Sequence, residues 1–276
     1  MKKLGLLFTM IMSIVFVIAA CGTAEKNDQT TQENTSGSND ETAELYDKVK
    51  EDGVLTVGTE GTYPPFTFHD DSGKLTGFDV EIAEEVAKRL DVKIEFKETQ
   101  WDAMFAGLDA KRFDMIANQV GIKPEREEKY DFSDPYISSA AVLVTHAEDD
   151  TVKSFEDIKG KKSAQSLTSN YGEIAKEYGA ELVGVEGFNQ AIELINSKRV
   201  DVTINDKLSV LDFKKQRENA AIKIVDESED AAHSGLMFRK DSGKLIEEVN
   251  KALQKMKDDG TYTKISEKWF GEDVSK

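Results

Sequence analysis

Residues 58–90 read GTEGTYPPFTFHDDSGKLTGFDVEIAEEVAKRL. The β-branched run VLTVGT (54–59) enters this stretch and ends in a glycine-rich turn. Tyr63-Pro64-Pro65-Phe66 follows, then a hairpin that the turn formers Asp71-Ser72-Gly73 would close, then a helix. In DVEIAEEVAKRL (79–90), Val80, Ala83, Val86, Ala87 and Leu90 recur at helical spacing. Downstream, KIEFKET (from 93) alternates as a strand. WDAMFAGLDAKR (101–112) sets Trp101, Met104, Phe105 and Leu108 on one helical face, and MIANQV (115–120) is strand-like again. Strand and helix in this alternation predict a parallel sheet covered by helices.

A second set of similar size begins after DFSDPY (131–136). AVLVTH (141–146), KKSAQS (161–166), LVGVEG (182–187) and VTIND (202–206) read as strands. SNYGEIAKEYG (169–179), with Ser169 or Asn170 as N-cap, and FNQAIELINSKR (188–199) read as helices. IKIVDE (222–227) and GLMFRK (235–240) are strand-like, and the chain finishes in two helices, 243–260 and 261–271. No sequence repeat links the sets, so two α/β lobes are expected, with ligand beyond the carboxyl ends of their strands.

Upstream, Met1-Lys2-Lys3 precedes an uncharged apolar run, residues 4–20, that ends in Ala19-Ala20 before Cys21, the single cysteine of the 276 residues. A basic start, an apolar stretch and a small-residue cleavage zone describe an export signal, expected over 1–20. Ile18-Ala19-Ala20-Cys21 resembles the lipobox of bacterial lipoproteins, in which the cysteine sulfur receives diacylglycerol after cleavage. Two or more acyl chains, palmitate among them, hold a soluble domain at a membrane where one would not. Residues 21–42 are polar and poor in large apolar side chains, which reads as a flexible tether. The formal net charge of −17 argues against nucleic acid as a partner.

His69, His146 and His233 are scattered, and no HExxH, GxSxG, GxxxxGK[ST] or strand-linked GxGxxG occurs. No cofactor and no metal is implied, and no catalytic residue is nominated. The combination of the P-F hairpin, GFDVEI (77–82), ER (125–126), DFSDPY (131–136) and the final KISEKWFG (264–271) resembles the polar-amino-acid family of bacterial solute-binding proteins that serve ABC importers. The resemblance runs from about residue 50 to 271. It implies a two-lobe clamshell of periplasmic-binding-protein type II, with lobe 1 at 43–136 plus 236–276 and lobe 2 at 139–230. The chain would cross between them near Ile137-Ser138 and Ser234-Gly235.

The resemblance also implies roles. Arg126 aligns with the arginine that clamps the ligand α-carboxylate, a task suited to the planar guanidinium fork. Read alone within PEREEK, it would be a solvated surface charge. Asp206 aligns with the aspartate that takes the α-ammonium; alone it is a strand-end turn residue. Ser169 and Asn170 would present free helix N–H groups to a carboxylate as well as cap the helix, and Thr168 would add a hydroxyl or amide. Tyr63 and Trp101 would flank the ligand side chain, although Trp101 also suits core packing. Glu60, Phe66, Asn118, Gln119 and Gly121 would line the first-lobe wall. This chain departs from many relatives in lacking a hydroxyl at Gly121 and in carrying Gln165 near where some have a cation.

TEGTYPPF, KETQWDAMFAGL and SAQSLTSNYG look most like cystine-binding members. The expectation is a monomeric, non-enzymatic, lipid-anchored protein at the extracytoplasmic face of the cell membrane. It would deliver an amino acid, cystine first, to an ABC permease. The alternatives are another polar amino acid (glutamine, arginine or histidine) and a same-fold enzyme resembling cyclohexadienyl dehydratase, for which Glu60 is the candidate general acid.

Overall fold

The computed structural model describes residues 38–275, so the signal stretch, Cys21 and the tether up to residue 37 lie outside the described residues. In chain order the elements of the first half are α1 (Ser38–Asp52), β1 (Val54–Thr59), β2 (Thr62–Tyr63), β3 (Thr67–His69), β4 (Leu75–Thr76), α2 (Phe78–Arg89), β5 (Lys93–Glu98), α3 (Trp101–Asp109), β6 (Met115–Ile116), α4 (Pro124–Glu127) and β7 (Tyr130–Phe132). The chain continues through β8 (Ile137–His146), β9 (Lys162–Gln165), α5 (Asn170–Glu177), β10 (Glu181–Gly184), α6 (Phe188–Asn196), β11 (Val202–Asp206), α7 (Lys207–Gln216) and β12 (Ile222–Ser234). It ends in β13 (Met237–Arg239), α8 (Gly243–Asp258) and α9 (Thr261–Phe270).

Two five-stranded sheets carry the fold, in the orders β5-β1-β6-β13-β7 and β10-β9-β11-β8-β12. Each has a parallel core: β1 lies parallel to β5 and β6, and β9 parallel to β10 and β11. The return strands are antiparallel, β13 beside β6 and β7 and β8 beside β11 and β12, so both sheets are mixed rather than purely parallel. β2, β3 and β4 make a separate small antiparallel sheet whose turn is closed by Asp70 Oδ1, which accepts from the Ser72 and Lys74 N–H groups.

The sequence periods place the cores. Along α2, Ile82, Ala83, Val86 and Ala87 face Leu55 and Val57 of β1 and Val249, Leu253 and Met256 of α8. In β8 the alternation is direct. Val142 and Val144 join Phe188, Ile192 and Phe213 on one face of the second sheet, while Ala141 and Leu143 join Phe155, Ile158 and Ile204 on the other. Full burial of such a side chain contributes about 1.5–3 kcal/mol.

β8 and β12 are also the two connections between the sheets. Ile137 packs in the first-lobe core, and β8 then pairs as the fourth strand of the second sheet. The two strands meet at Ile137↔Ser234 and Ser138↔His233, so the crossings form an antiparallel ribbon rather than loose loops.

Three differences from the sequence reading have physical causes. Residues 38–42, expected as tether, begin α1; the helix docks through Leu45, Tyr46 and Val49, and Val49 is fully buried. The strand expected over 115–120 stops at Ile116, because the chain turns through Gln119 at φ 52. The helix α7 is absent from the sequence reading. Its apolar residues do not form one clean stripe: Val210 and Phe213 are buried while Leu211 is exposed.

Candidate functional site

A cavity lies between the sheets at the carboxyl ends of their parallel strands, where open α/β sheets place ligands. Glu60 follows β1, Trp101 follows β5, and Asn118 and Gln119 follow β6. From the other side come Gln165 at the end of β9, Ser169 and Asn170 at the start of α5, and Asn205 in β11. Of the thirteen sequence-nominated ligand residues, Glu60, Tyr63, Trp101, Asn118, Gln119, Gln165, Ser169 and Asn170 line this cavity.

On the first-lobe side, Asn118 holds Glu60 twice: its Oδ1 accepts from the Glu60 backbone N–H at 2.8 Å, and its Nδ2 donates to Glu60 Oε2 at 2.6 Å. Burial pushes the Glu60 carboxyl up to about 7, against the pull of the Asn118 bond. The Arg126 guanidinium lies over the rings of Trp101 and Phe105, 5.6 and 5.4 Å from their centroids. Its Nη1 donates to the Gly121 carbonyl at 3.0 Å. Burial lowers its pKa, and Glu173 and Glu125 act on it only through space. Trp101 is 94% buried, and its indole N–H has no partner among the described residues.

On the second-lobe side, Ser169 caps α5 by accepting from the Gly172 N–H at 3.0 Å. Asp206 caps α7, its Oδ1 accepting from the Leu208 and Ser209 N–H groups and from the Ser139 hydroxyl. Its Oδ2 accepts from the Tyr171 hydroxyl at 3.3 Å. Burial pushes Asp206 up to about 6 despite these donors.

The remaining nominees sit elsewhere. Phe66 is wholly buried in the first-lobe core against Tyr63 and Phe270, because the hairpin turns it inward. Thr168 is exposed and reaches Asp102 of the other lobe, 2.6 Å from its hydroxyl, so it joins the rims rather than lining the cavity. Asp206 stands behind Tyr171, and Arg126 and Gly121 stand at the edge beside Trp101. The sequence reading missed Tyr171, Thr203, Asn205 and Phe188, all on the cavity wall.

The lobes touch across the cleft. Tyr63 donates to Asn205 Oδ1 at 2.7 Å, Ser209 donates to the Pro64 carbonyl at 2.7 Å, and Lys123 pairs with Glu173.

A fold with this cleft and these strand-end residues matches the family model of bacterial extracellular solute-binding proteins, family 3, over residues 55–272. The chain belongs to this family. Within family 3, it is 54% identical over 277 residues to the L-cystine-binding protein TcyA of Bacillus subtilis (strain 168), covering 100% of both chains. Among solved structures, an ancestral arginine-binding protein bound to arginine superposes with a TM-score of 0.75 at 41% identity, over 79% of this chain and 99% of the other. The L-cystine solute receptor of Neisseria gonorrhoeae, unliganded and open, is 51% identical over 84% of this chain and 99% of its own, with a TM-score of 0.57. The solved structure with more shared sequence thus superposes less well. Among the described residues, no helix of this family 3 protein is long and apolar enough to cross a membrane.

Proposed function

We propose that this chain captures a free amino acid, L-cystine foremost, between its lobes and delivers it unchanged to the permease of an ABC importer. In this reading residues 1–20 are removed, acyl chains on Cys21 hold the protein at the extracytoplasmic face of the cell membrane, and it acts as a monomer. The observation that carries the reading is the Arg126 guanidinium. It is poised on two aromatic faces at the cavity edge and satisfied by a single carbonyl. A planar fork with donors to spare suits an α-carboxylate, and the N–H groups opening α5 add to it.

The ammonium end calls for a carboxylate taken out of water. Asp206 and Glu60 both have raised pKa values through burial, and a ligand ammonium restores their charged forms. Cystine carries two such ends around an apolar disulfide. Trp101 and Tyr63 supply flat faces for the middle, and Glu60 sits where the cavity meets an outer groove that also holds Glu98 and Glu186. The relative TcyA, similar over its whole length, supports this ligand.

The test is thermal unfolding of the protein produced with Cys21→Ser, against cystine, cysteine, glutamine, arginine and histidine. A ligand at 100 times its Kd adds about 2.7 kcal/mol. A shift with cystine alone supports the reading; a shift with another amino acid keeps the role and replaces the ligand. A second reading, an enzyme, draws on Glu60, whose pKa of about 7 suits a general acid. Recovery of unchanged ligand, read by mass spectrometry, speaks against it.

A further inference from the structure

Behind the first-lobe wall of the cavity is a buried carboxylate that the proposed ligand contacts do not use. Asp79, in the first turn of α2, has no exposed surface. Its Oδ2 accepts from the Gln119 backbone N–H at 2.8 Å, and its Oδ1 accepts from Gln119 Nε2 at 2.7 Å and from the Tyr136 hydroxyl at 2.9 Å. A 3.4 Å contact between Gln119 Nε2 and the Tyr136 hydroxyl closes the triangle. Burying a carboxylate is costly even when hydrogen-bonded, and an apolar side chain would fill a core position at less cost.

The three donors come from two functionally different places. Gln119 lines the cavity, and its left-handed backbone (φ 52) is one that non-glycine residues adopt at a cost. Tyr136 is fully buried, lines no part of the cavity, and immediately precedes β8. Its N–H donates to the Ser234 carbonyl at 3.0 Å, the last residue of β12, and its carbonyl accepts from Tyr262. The wall segment after Gln119 is tied to the same crossing: Gly235 donates to the Val120 carbonyl at 3.1 Å, and Ile122 donates to the His233 carbonyl at 2.8 Å. One carboxylate therefore stands where the cavity wall and both crossings meet.

We infer that Asp79 is a positioning residue that fixes Gln119 on the cavity wall and couples that wall, through Tyr136, to the crossings about which the lobes move. The inference rests on the reading that the lobes close on an amino acid in this cavity. Contact at the wall and closure at the crossings then reinforce one another through this carboxylate.

The test uses Tyr136→Phe, Asp79→Asn and their combination, each with Cys21→Ser. Cysteines replacing Lys88 and Lys198, exposed and on opposite lobes, carry spin labels. Calorimetry reads L-cystine affinity, and the labels read interlobe distance with and without L-cystine. Tyr136→Phe removes one hydroxyl and no cavity contact, yet is expected to weaken affinity about three- to tenfold and to broaden the distance distribution. Asp79→Asn is expected to weaken it at least as much, and the combination no further than Asp79→Asn alone.

If Asp79→Asn does not fold, Tyr136→Phe combined with Gln119→Ala supplies the same comparison. Tyr136→Phe leaving affinity within twofold of its parent while lowering the melting temperature reduces Asp79 to a packing role and overturns the inference. Effects that multiply in the combination also overturn it. Failure of the parent to bind L-cystine sinks the ligand reading instead. The ligand-free distances then decide: equal distributions in the parent and Tyr136→Phe overturn the coupling, and a broader one in the variant upholds it.

Discussion

Arg126 places its charge on the faces of Trp101 and Phe105 and gives one N–H to Gly121, leaving most of its fork free for an anion. Arg126→Lys keeps the charge and loses the fork. Calorimetry is expected to show affinity for L-cystine lower by about ten- to a hundredfold, with the ligand-free melting point nearly unchanged. Unchanged affinity would remove Arg126 from the site. The buried carboxyls add a pH signature. Glu60 and Asp79, both at about 7, and Asp206 at about 6 each hold a proton more firmly in the fold than in the unfolded chain. Their contribution to stability is complete below the ordinary carboxylate pKa near 4 and declines as pH rises through 6 to 7. Glu60→Gln is therefore expected to flatten the fall in ligand-free melting temperature between pH 5 and 8. A ligand ammonium reverses the shifts of Glu60 and Asp206, so binding near pH 6 is expected to release protons, read as a dependence of binding heat on buffer ionisation heat. Eight of the seventeen residues that line the cavity were legible in the sequence, through the family resemblance. Tyr171 and Asn205 were not, since their partners Asp206 and Tyr63 are 35 and 142 residues away along the chain.

At the scale of elements, the entry into α2 depends on one backbone position. Gly77 has φ 134, and a Cβ there would lie 2.2 Å from the Phe66 carbonyl oxygen. Gly77→Ala is expected to destabilise the ligand-free protein by more than about 1 kcal/mol, measured in urea; a neutral result would mean that the turn reshapes freely. Regular elements were readable wherever one period dominated: β1, β5 and β11 fall where alternation or β-branching placed them. The reading failed where tertiary contacts override local pattern. Polar residues 38–42 are drawn into α1 by the docking of Val49, and the chain leaves β6 early because Asp79, from a distant helix, captures the Gln119 N–H.

For the whole molecule, closure is written in polar contacts across the cleft. Asp102 accepts from the Thr168 hydroxyl and N–H on the exposed rim. Such a hydrogen-bonded pair contributes about 1 kcal/mol, a sizeable fraction of the few kcal/mol that separate two such forms in general. Asp102→Ala is expected to raise the radius of gyration of the ligand-free protein in solution scattering and to weaken L-cystine binding a few-fold. No change in either would leave the latch without weight. The clamshell itself was foreseen from the combined motifs, whereas no local pattern announces which side chains meet across the gap.

The first sheet is finished late. Strands β8 to β12, the entire second sheet, lie between β7 and β13 in the chain, yet β13 sits between β6 and β7. A chain emerging from the amino end can complete its second sheet while the first still has a gap between β6 and β7. The wall bearing Glu60 and Asn118 would then stand last, once β13 and α8 arrive. The half that carries Arg126 is thus the half exposed longest to misassembly, and substitutions in the final forty residues should betray themselves as poor yield before they betray themselves as poor binding.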